Sequence, residues 1–234
     1  MFLKILVSAF LLFQSVPVFC QNHDSNTETK SKFQVNFTPG LDISKFAYKN
    51  FAINNGPYSN FRTAIILGGS IGYDLTNVFN LRIGLNWINS GGKSDDLIGA
   101  DVNGNELGTY NIIQELIYYE IPIQIKAYLI SKEAGLYVLP GISAGFISEA
   151  KWDIEKDFDA DFSRLETDKK DDFKNHIWVL LLGAGYELPI AQKYLIGIEG
   201  TYGIGLNNIY NVEGSDAELR VREFRLNLLF SLSL

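Results

Sequence analysis

Residues 224–234 read Phe-Arg-Leu-Asn-Leu-Leu-Phe-Ser-Leu-Ser-Leu, with Phe or Leu at every even position and mostly polar residues between. Successive side chains of a strand point to opposite sides of a sheet, so this period of two marks a strand with one apolar face. The same alternation recurs along the chain with turn residues between the runs. It predicts eight strands, at 33–43, 61–75, 79–90, 109–130, 135–149, 173–188, 194–206 and 219–234. Each can cross an outer membrane, for which about 9–11 tilted residues suffice.

The connections alternate in length. Those at 76–78, 131–134 and 189–193 are brief, whereas the others are longer, and 150–172 is the longest and most charged. Short turns on one rim and long loops on the other are how bacterial outer-membrane barrels are built, with both termini on the periplasmic, short-turn side. The pattern therefore predicts an all-β fold: an eight-stranded antiparallel up-and-down transmembrane β-barrel over 33–234.

The faces follow from parity. In the third strand Phe79, Leu81, Ile83, Leu85 and Trp87 alternate with Asn80, Arg82, Gly84, Asn86 and Ile88. In the seventh, Tyr194, Ile196, Ile198, Tyr202 and Ile204 alternate with Gly197, Glu199, Thr201, Gly203 and Gly205. The apolar rows are assigned to lipid and the charged and small ones to the lumen. Trp87, Trp178, Tyr186, Tyr194 and Tyr73, near the ends of outward rows, are candidates for interfacial girdles.

The first residues add a compartment. A positive start at Met1 to Lys4, an apolar stretch over 5–13 and Pro17-Val18-Phe19-Cys20 ahead of Gln21 read as a signal peptide over 1–20, cleaved after Cys20. An acylated lipoprotein cysteine is the alternative, and the bulky Phe19 fits it badly. Cleavage removes the single Cys, and with it any disulfide or Cys-based metal site. Residues 21–32 are polar and aperiodic and read as a flexible leader.

A formal charge of −7 argues against nucleic acid, which requires a basic stripe. Hydrophobic residues make up 47% of the chain, yet no second run is long enough for a membrane helix, which leaves a β protein, soluble or transmembrane.

An eight-stranded barrel has an interior just wide enough for side chains to fill. Arg82, Glu120, Lys126, Glu199 and Arg225 all fall on the inward parity, and unpaired buried ions are costly. A salt-bridge network among these five, holding the lumen closed, is expected; a cation or proton path through the lumen is the competing reading. Glu199 and Arg225 lie on neighbouring strands.

Catalysis is not expected. His23 lies in the leader and His176 falls on the outward face near the long-loop rim, and no Gly-x-Ser-x-Gly elbow, zinc-type His pair or phosphate-cradling loop occurs. Asp157, Asp159, Asp161 and Asp168 match a calcium-loop count, but Phe162 stands where Gly makes the turn and Asp168 replaces the bidentate Glu, so a solvated acidic loop is the better account. No cofactor or metal is implied.

At Ile117-Tyr118-Tyr119-Glu120-Ile121-Pro122-Ile123-Gln124-Ile125-Lys126 the chain resembles the PorT-like outer-membrane β-barrel family of Bacteroidota, on Tyr118, Glu120, Ile121, Pro122 and Lys126. The resemblance implies fold and outer-membrane location, export support in some relatives, and no catalytic residues. The chain ends in Leu234, where many such barrels end in an aromatic. Independently of the family, Pro122 lacks a ladder donor, so a bulge or bend is expected there.

These readings converge on a non-enzymatic barrel acting as a structural, adhesion or secretion-accessory component through its loops or periplasmic face. Its expected partners are outer-membrane lipids and lipopolysaccharide, and a secretion or envelope protein. A small pore and a soluble lipocalin-like carrier, whose apolar face would be inside, are the alternatives.

Overall fold

The computed structural model describes residues 32–50, 60–100, 103–129, 132, 135–157, 170–211 and 216–234. The expected signal peptide, 1–20, and the expected leader apart from Lys32 lie outside these residues, as do 158–169 of the connection read as an acidic loop.

Eight strands among the described residues form a closed ring: β1 (Phe33–Lys49), β2 (Arg62–Asp74), β3 (Phe79–Ala100), β4 (Glu106–Tyr128), β5 (Leu136–Lys156), β6 (His176–Pro189), β7 (Tyr194–Gly205) and β8 (Glu218–Ser233). Every strand pairs antiparallel with its sequence neighbour, and β8 closes on β1 from Gln34↔Ser233 to Lys49↔Glu218. Closure leaves no edge inside the ring. Where the chain turns between β2 and β3, the Thr76 hydroxyl accepts hydrogen bonds from the backbone N–H groups of Val78 and Phe79. At the β5 entrance Gly135 has φ 70°, and a Cβ there would sit 1.9 Å from the carbonyl oxygen of Glu187, so only glycine fits.

The burial alternation places the apolar rows outside. Phe37, Ile71, Leu85, Ile123, Leu182 and Phe224 are all exposed, whereas Asn36, Arg82, Glu120, Gln124, Glu199 and Arg225 are buried. A soluble carrier requires the reverse arrangement. A continuous apolar exterior around a polar interior is what a barrel in lipid requires, since in hydrocarbon every backbone group must be satisfied by the closed ladder. Trp178 and Tyr186 stand exposed near opposite ends of β6, and Phe33 packs on Tyr73 at 4.9 Å at the short-turn rim.

Two expectations need correction. Pro122 carries no bulge: the β3 register is the same on either side of it (Ile83↔Ile123, Asn86↔Glu120), and Pro122 pairs with Ser143 on β5. Its side chain is buried over Gly84, and the β3–β4 ladder is interrupted there between Ile83↔Ile123 and Asn86↔Glu120, so the missing donor costs ladder pairs without shifting the register. The β4–β5 bulge instead falls at Ser148, between Tyr118↔Ile147 and Ile117↔Glu149, where the Ser148 hydroxyl donates to the carbonyl of Ile117 at 3.0 Å. Secondly, residues 150–156 are strand rather than loop, because β5 continues to Lys156. β3, β4 and β5 reach 22, 23 and 21 residues, against 13, 14 and 12 for β2, β6 and β7. These three strands project past the long-loop rim as one sheet.

Candidate functional site: the lumen

Reading along β4 from the short-turn rim upward, the inward positions are Tyr128, Lys126, Gln124, Pro122, Glu120, Tyr118, Leu116 and Gln114, all buried. This rib organises the lumen into tiers. In the lowest, the Lys126 ammonium lies 2.7 Å from the Glu187 carboxylate on β6 and 4.4 Å from the centre of the Tyr137 ring. The Tyr128 hydroxyl donates to the same carboxylate.

In the middle tier, the Arg82 guanidinium on β3 meets Glu199 on β7 in a two-pronged pair, with Nη2 to Oε2 at 2.9 Å. Gln124 Oε1 accepts from Arg82 Nε and Nη2 at 3.2 and 2.9 Å, and the Tyr137 hydroxyl donates to Glu199 at 2.7 Å. The upper tier centres on Arg225 of β8, which pairs with Glu120 of β4, Nη1 to Oε1 at 2.8 Å, and with Glu223 of its own strand. Asn86 donates to Glu120 at 3.2 Å and the Tyr118 hydroxyl to Glu223 at 2.7 Å. Planar guanidinium forks facing carboxylates give the strongest and most directional of such contacts.

Above the charges the lumen turns apolar. Phe46, Ile66, Ile88, Leu116, Ile147, Ile177, Leu181 and Val221 form one buried cluster, completed from the connections by Phe173 and Ile209. Between the middle and upper tiers Thr38, Ser70, Arg82, Asn86, Glu199 and Arg225 border a polar void of about 20 Å³, about the room one water needs.

The five residues singled out from the sequence are thus all in the lumen and all ion-paired, with Glu120 and Lys126 at 0% exposure. Their pairings run across the lumen. Glu199 of β7 goes to Arg82 of β3, and not to Arg225 on the adjacent strand. Three further acids belong to the same assembly: Glu187, Glu223 and Asp42, each buried. All three sit on the inward parity of their strands, which is the signal by which they could have been included. Asp42 stands opposite Arg225 on β1, with Ser44 and Ser90 beside it, yet neither of its carboxylate oxygens completes a hydrogen bond among the described residues. The lumen therefore holds five acids against three bases among the described residues.

His176 is exposed at the long-loop end of β6. Of the four calcium-count positions, Asp157 is among the described residues, and it accepts from the backbone and hydroxyl of Thr109 at 2.8 and 3.1 Å. No group of three or more His, Cys, Asp or Glu suited to a metal ion occurs among the described residues.

Residues 19–211 match the model of the outer membrane protein beta-barrel domain family. The chain belongs to that family. It is a barrel of the bacterial outer membrane, crossed by strands. No curated protein matches it. Among solved structures, Ail, the attachment invasion locus protein of Yersinia pestis, is 12% identical, with 86% of this chain and 99% of Ail covered and a TM-score of 0.40. Neisserial surface protein A is 10% identical over 88% of this chain and 100% of its own, at 0.42. OprG from Pseudomonas aeruginosa is 8% identical over 88% and 98%, at 0.44.

Proposed function

We propose that this family member is a non-enzymatic, plugged barrel that binds a protein partner through its long-loop rim, as an adhesion or secretion-accessory component, with both termini in the periplasm. The observation that carries the reading is the projecting sheet. The β2–β3 ladder ends at Ile66↔Ile88 and a single bridge, Asn60↔Lys93, follows it, whereas β3 runs on to Ala100; the β5–β6 ladder ends at Phe146↔His176, whereas β5 runs on to Lys156. The twelve residues beyond Ile88, through Ala100, amount to roughly 40 Å of strand at about 3.3 Å per residue. Past the apolar belt the outward row of β5 becomes Glu149, Lys151, Asp153 and Glu155, the composition of a surface in water. At the far end Ile98 and Leu107 are again exposed, 62% and 49%, well away from the lipid belt. Apolar side chains carried clear of the membrane on a paired β3–β4 ladder, which is irregular between Ser94 and Leu97 and between Gly99 and Ala100, suit protein contact.

The filled lumen supports the plug over the pore. We also propose that the chain is of the PorT-like branch of the family: of the residues of that resemblance, Tyr118, Glu120, Pro122 and Lys126 turn into the lumen as the rib of the plug, while Ile121 is exposed on the outer face.

The test is site-specific photocrosslinking in intact cells with a photoreactive residue at Ile98 or Leu107, and at Leu182 as a lipid-facing comparison. Discrete protein adducts from the two tip positions and none from Leu182 are expected. Absence of tip adducts, together with steady conductance of the purified protein in planar bilayers, would replace this reading with the pore.

A further inference from the structure

On the outer wall, just past the apolar belt on the long-loop side, β1 and β8 bring cations together. The register sets Lys45 opposite Arg222, Ala47 opposite Arg220 and Lys49 opposite Glu218. Like charges directly opposite on one face of a sheet are destabilising. The acid that faces this cluster, Glu218, is already engaged by Arg220 at 3.0 Å and Lys49 at 3.4 Å. Neither Lys45 nor Arg222 has a carboxylate partner among the described residues; Lys45 lies over the ring of Phe61 at 4.7 Å, itself an exposed aromatic. Other cations near the same rim do have acids: Lys93 meets Asp95 at 2.8 Å, Arg62 meets Glu115 and Lys151 meets Glu149.

The surroundings say what neutralises the cluster. Arg222 is cross-strand from Ile204, and one step toward the membrane centre Phe224 is cross-strand from Tyr202 and Ile43. Phe224 and Tyr202 are both exposed to the lipid side. The cations therefore stand at the level where headgroups begin, directly over a wall for acyl chains. Guanidinium groups bind phosphate oxygens two at a time, and a partly exposed ammonium adds a point charge.

We propose that Lys45, Arg222 and Arg220 form a binding site for the phosphate of a phosphorylated glycolipid in the leaflet at the long-loop rim, its acyl chains lying along Ile204, Tyr202 and Phe224. The choice of glycolipid rests on the reading above that this rim faces outward. The repulsion between Lys45 and Arg222 is relieved when the lipid is bound, so the lipid belongs to the assembled barrel.

The experiment is native mass spectrometry of the full-length protein in detergent, titrated with bisphosphorylated lipid A, with dephosphorylated lipid A and with phosphatidylglycerol. The parent should hold the bisphosphorylated lipid most tightly. Lys45→Gln with Arg222→Gln should weaken it roughly thirtyfold, from two cations near an anionic surface, while Lys151→Gln leaves it unchanged. Heat-modifiable migration shows that each variant is folded; should the double variant not fold, Arg222→Gln alone should weaken binding roughly fivefold. Equal affinity of parent and variant, or equal affinity for the dephosphorylated lipid, overturns the site. A preference for phosphatidylglycerol overturns the glycolipid and, with it, the outward orientation of this rim. Crosslinking at Ile98 and Leu107 reports a protein partner at the tip whichever lipid is bound, so failure of the lipid site and failure of the partner reading are distinguishable.

Discussion

Replacing Glu199 by Gln is the sharpest perturbation of the lumen, because it preserves shape and removes one charge. Gln can still accept the 2.7 Å hydrogen bond of Tyr137, and can still accept one from Arg82. What it cannot supply is the negative charge opposite a guanidinium that is only 6% exposed. Two unit charges about 4 Å apart at an effective dielectric near 20 attract by about 4 kcal/mol. Removing one partner of a buried pair generally costs about 3–5 kcal/mol, since the survivor stays desolvated and uncompensated. The two routes agree, and Lys126 in the tier below adds a like charge that Glu199 no longer offsets.

The assay is urea titration of the detergent-refolded barrel, read by the loss of the fast-migrating unboiled band and by tryptophan fluorescence. A loss of about 3–5 kcal/mol is expected for Glu199→Gln. The double variant Arg82→Met with Glu199→Gln should recover a large part of it, because both charges are then gone and Gln124 and Tyr137 remain to satisfy the polar groups. A loss under about 1 kcal/mol for the single variant would refute the tiered plug, placing Arg82 in reach of water and the lumen in a wetter state than the packing implies.

Four further outcomes follow from the same geometry. Asp42→Asn should raise stability in the same titration, since it removes one negative charge from a lumen holding five acids against three bases among the described residues while Arg225 keeps Glu120 and Glu223. Leu182→Arg, at the middle of β6 and 64% exposed, should cost about 2–4 kcal/mol in lipid vesicles, where the same change on a wall facing water would be nearly neutral. Gly135→Ala should lower the unfolding free energy from the same titration by more than about 1 kcal/mol, because the added Cβ meets the Glu187 carbonyl at 1.9 Å. In planar bilayers the parent should show no steady conductance, and Leu116→Gly with Ile88→Gly, which opens the apolar cluster above the charges, should leave conductance low as long as the Arg225 tier is intact.

The ring itself was legible because two environments impose one period. Lipid demands an apolar residue at every second position and a packed lumen demands a small or paired one between, so Phe79 to Ile88 could be assigned side by side without coordinates. The ends of the long strands were not legible for the same reason. Once β5 leaves the bilayer, Glu149, Lys151, Asp153 and Glu155 carry no apolar signal, and the Ser148 bulge shifts the inward row from Ile147 to Ala150. The ladder continues because backbone hydrogen bonds to β4 persist to Tyr110↔Lys156, and hydropathy does not report those bonds.

The same limit explains the ion pairs. Parity says that Arg82, Glu199, Glu120 and Arg225 share an interior, and it says equally that Glu187, Glu223 and Asp42 do. Which of them meet depends on strand tilt and stagger, which decide the heights that face one another across the axis. Arg82 is level with Gln124 on the neighbouring β4, and its fork reaches across to Glu199 on β7; Arg225 reaches from β8 to Glu120 on β4. Each arginine therefore ties together opposite walls of the barrel instead of adjacent strands. Adjacent strands are already joined by their ladders, so a pair between them would add little to closure. A pair across the axis opposes every widening of the lumen, which is why the charges of this chain act as a plug as long as each guanidinium keeps its carboxylate.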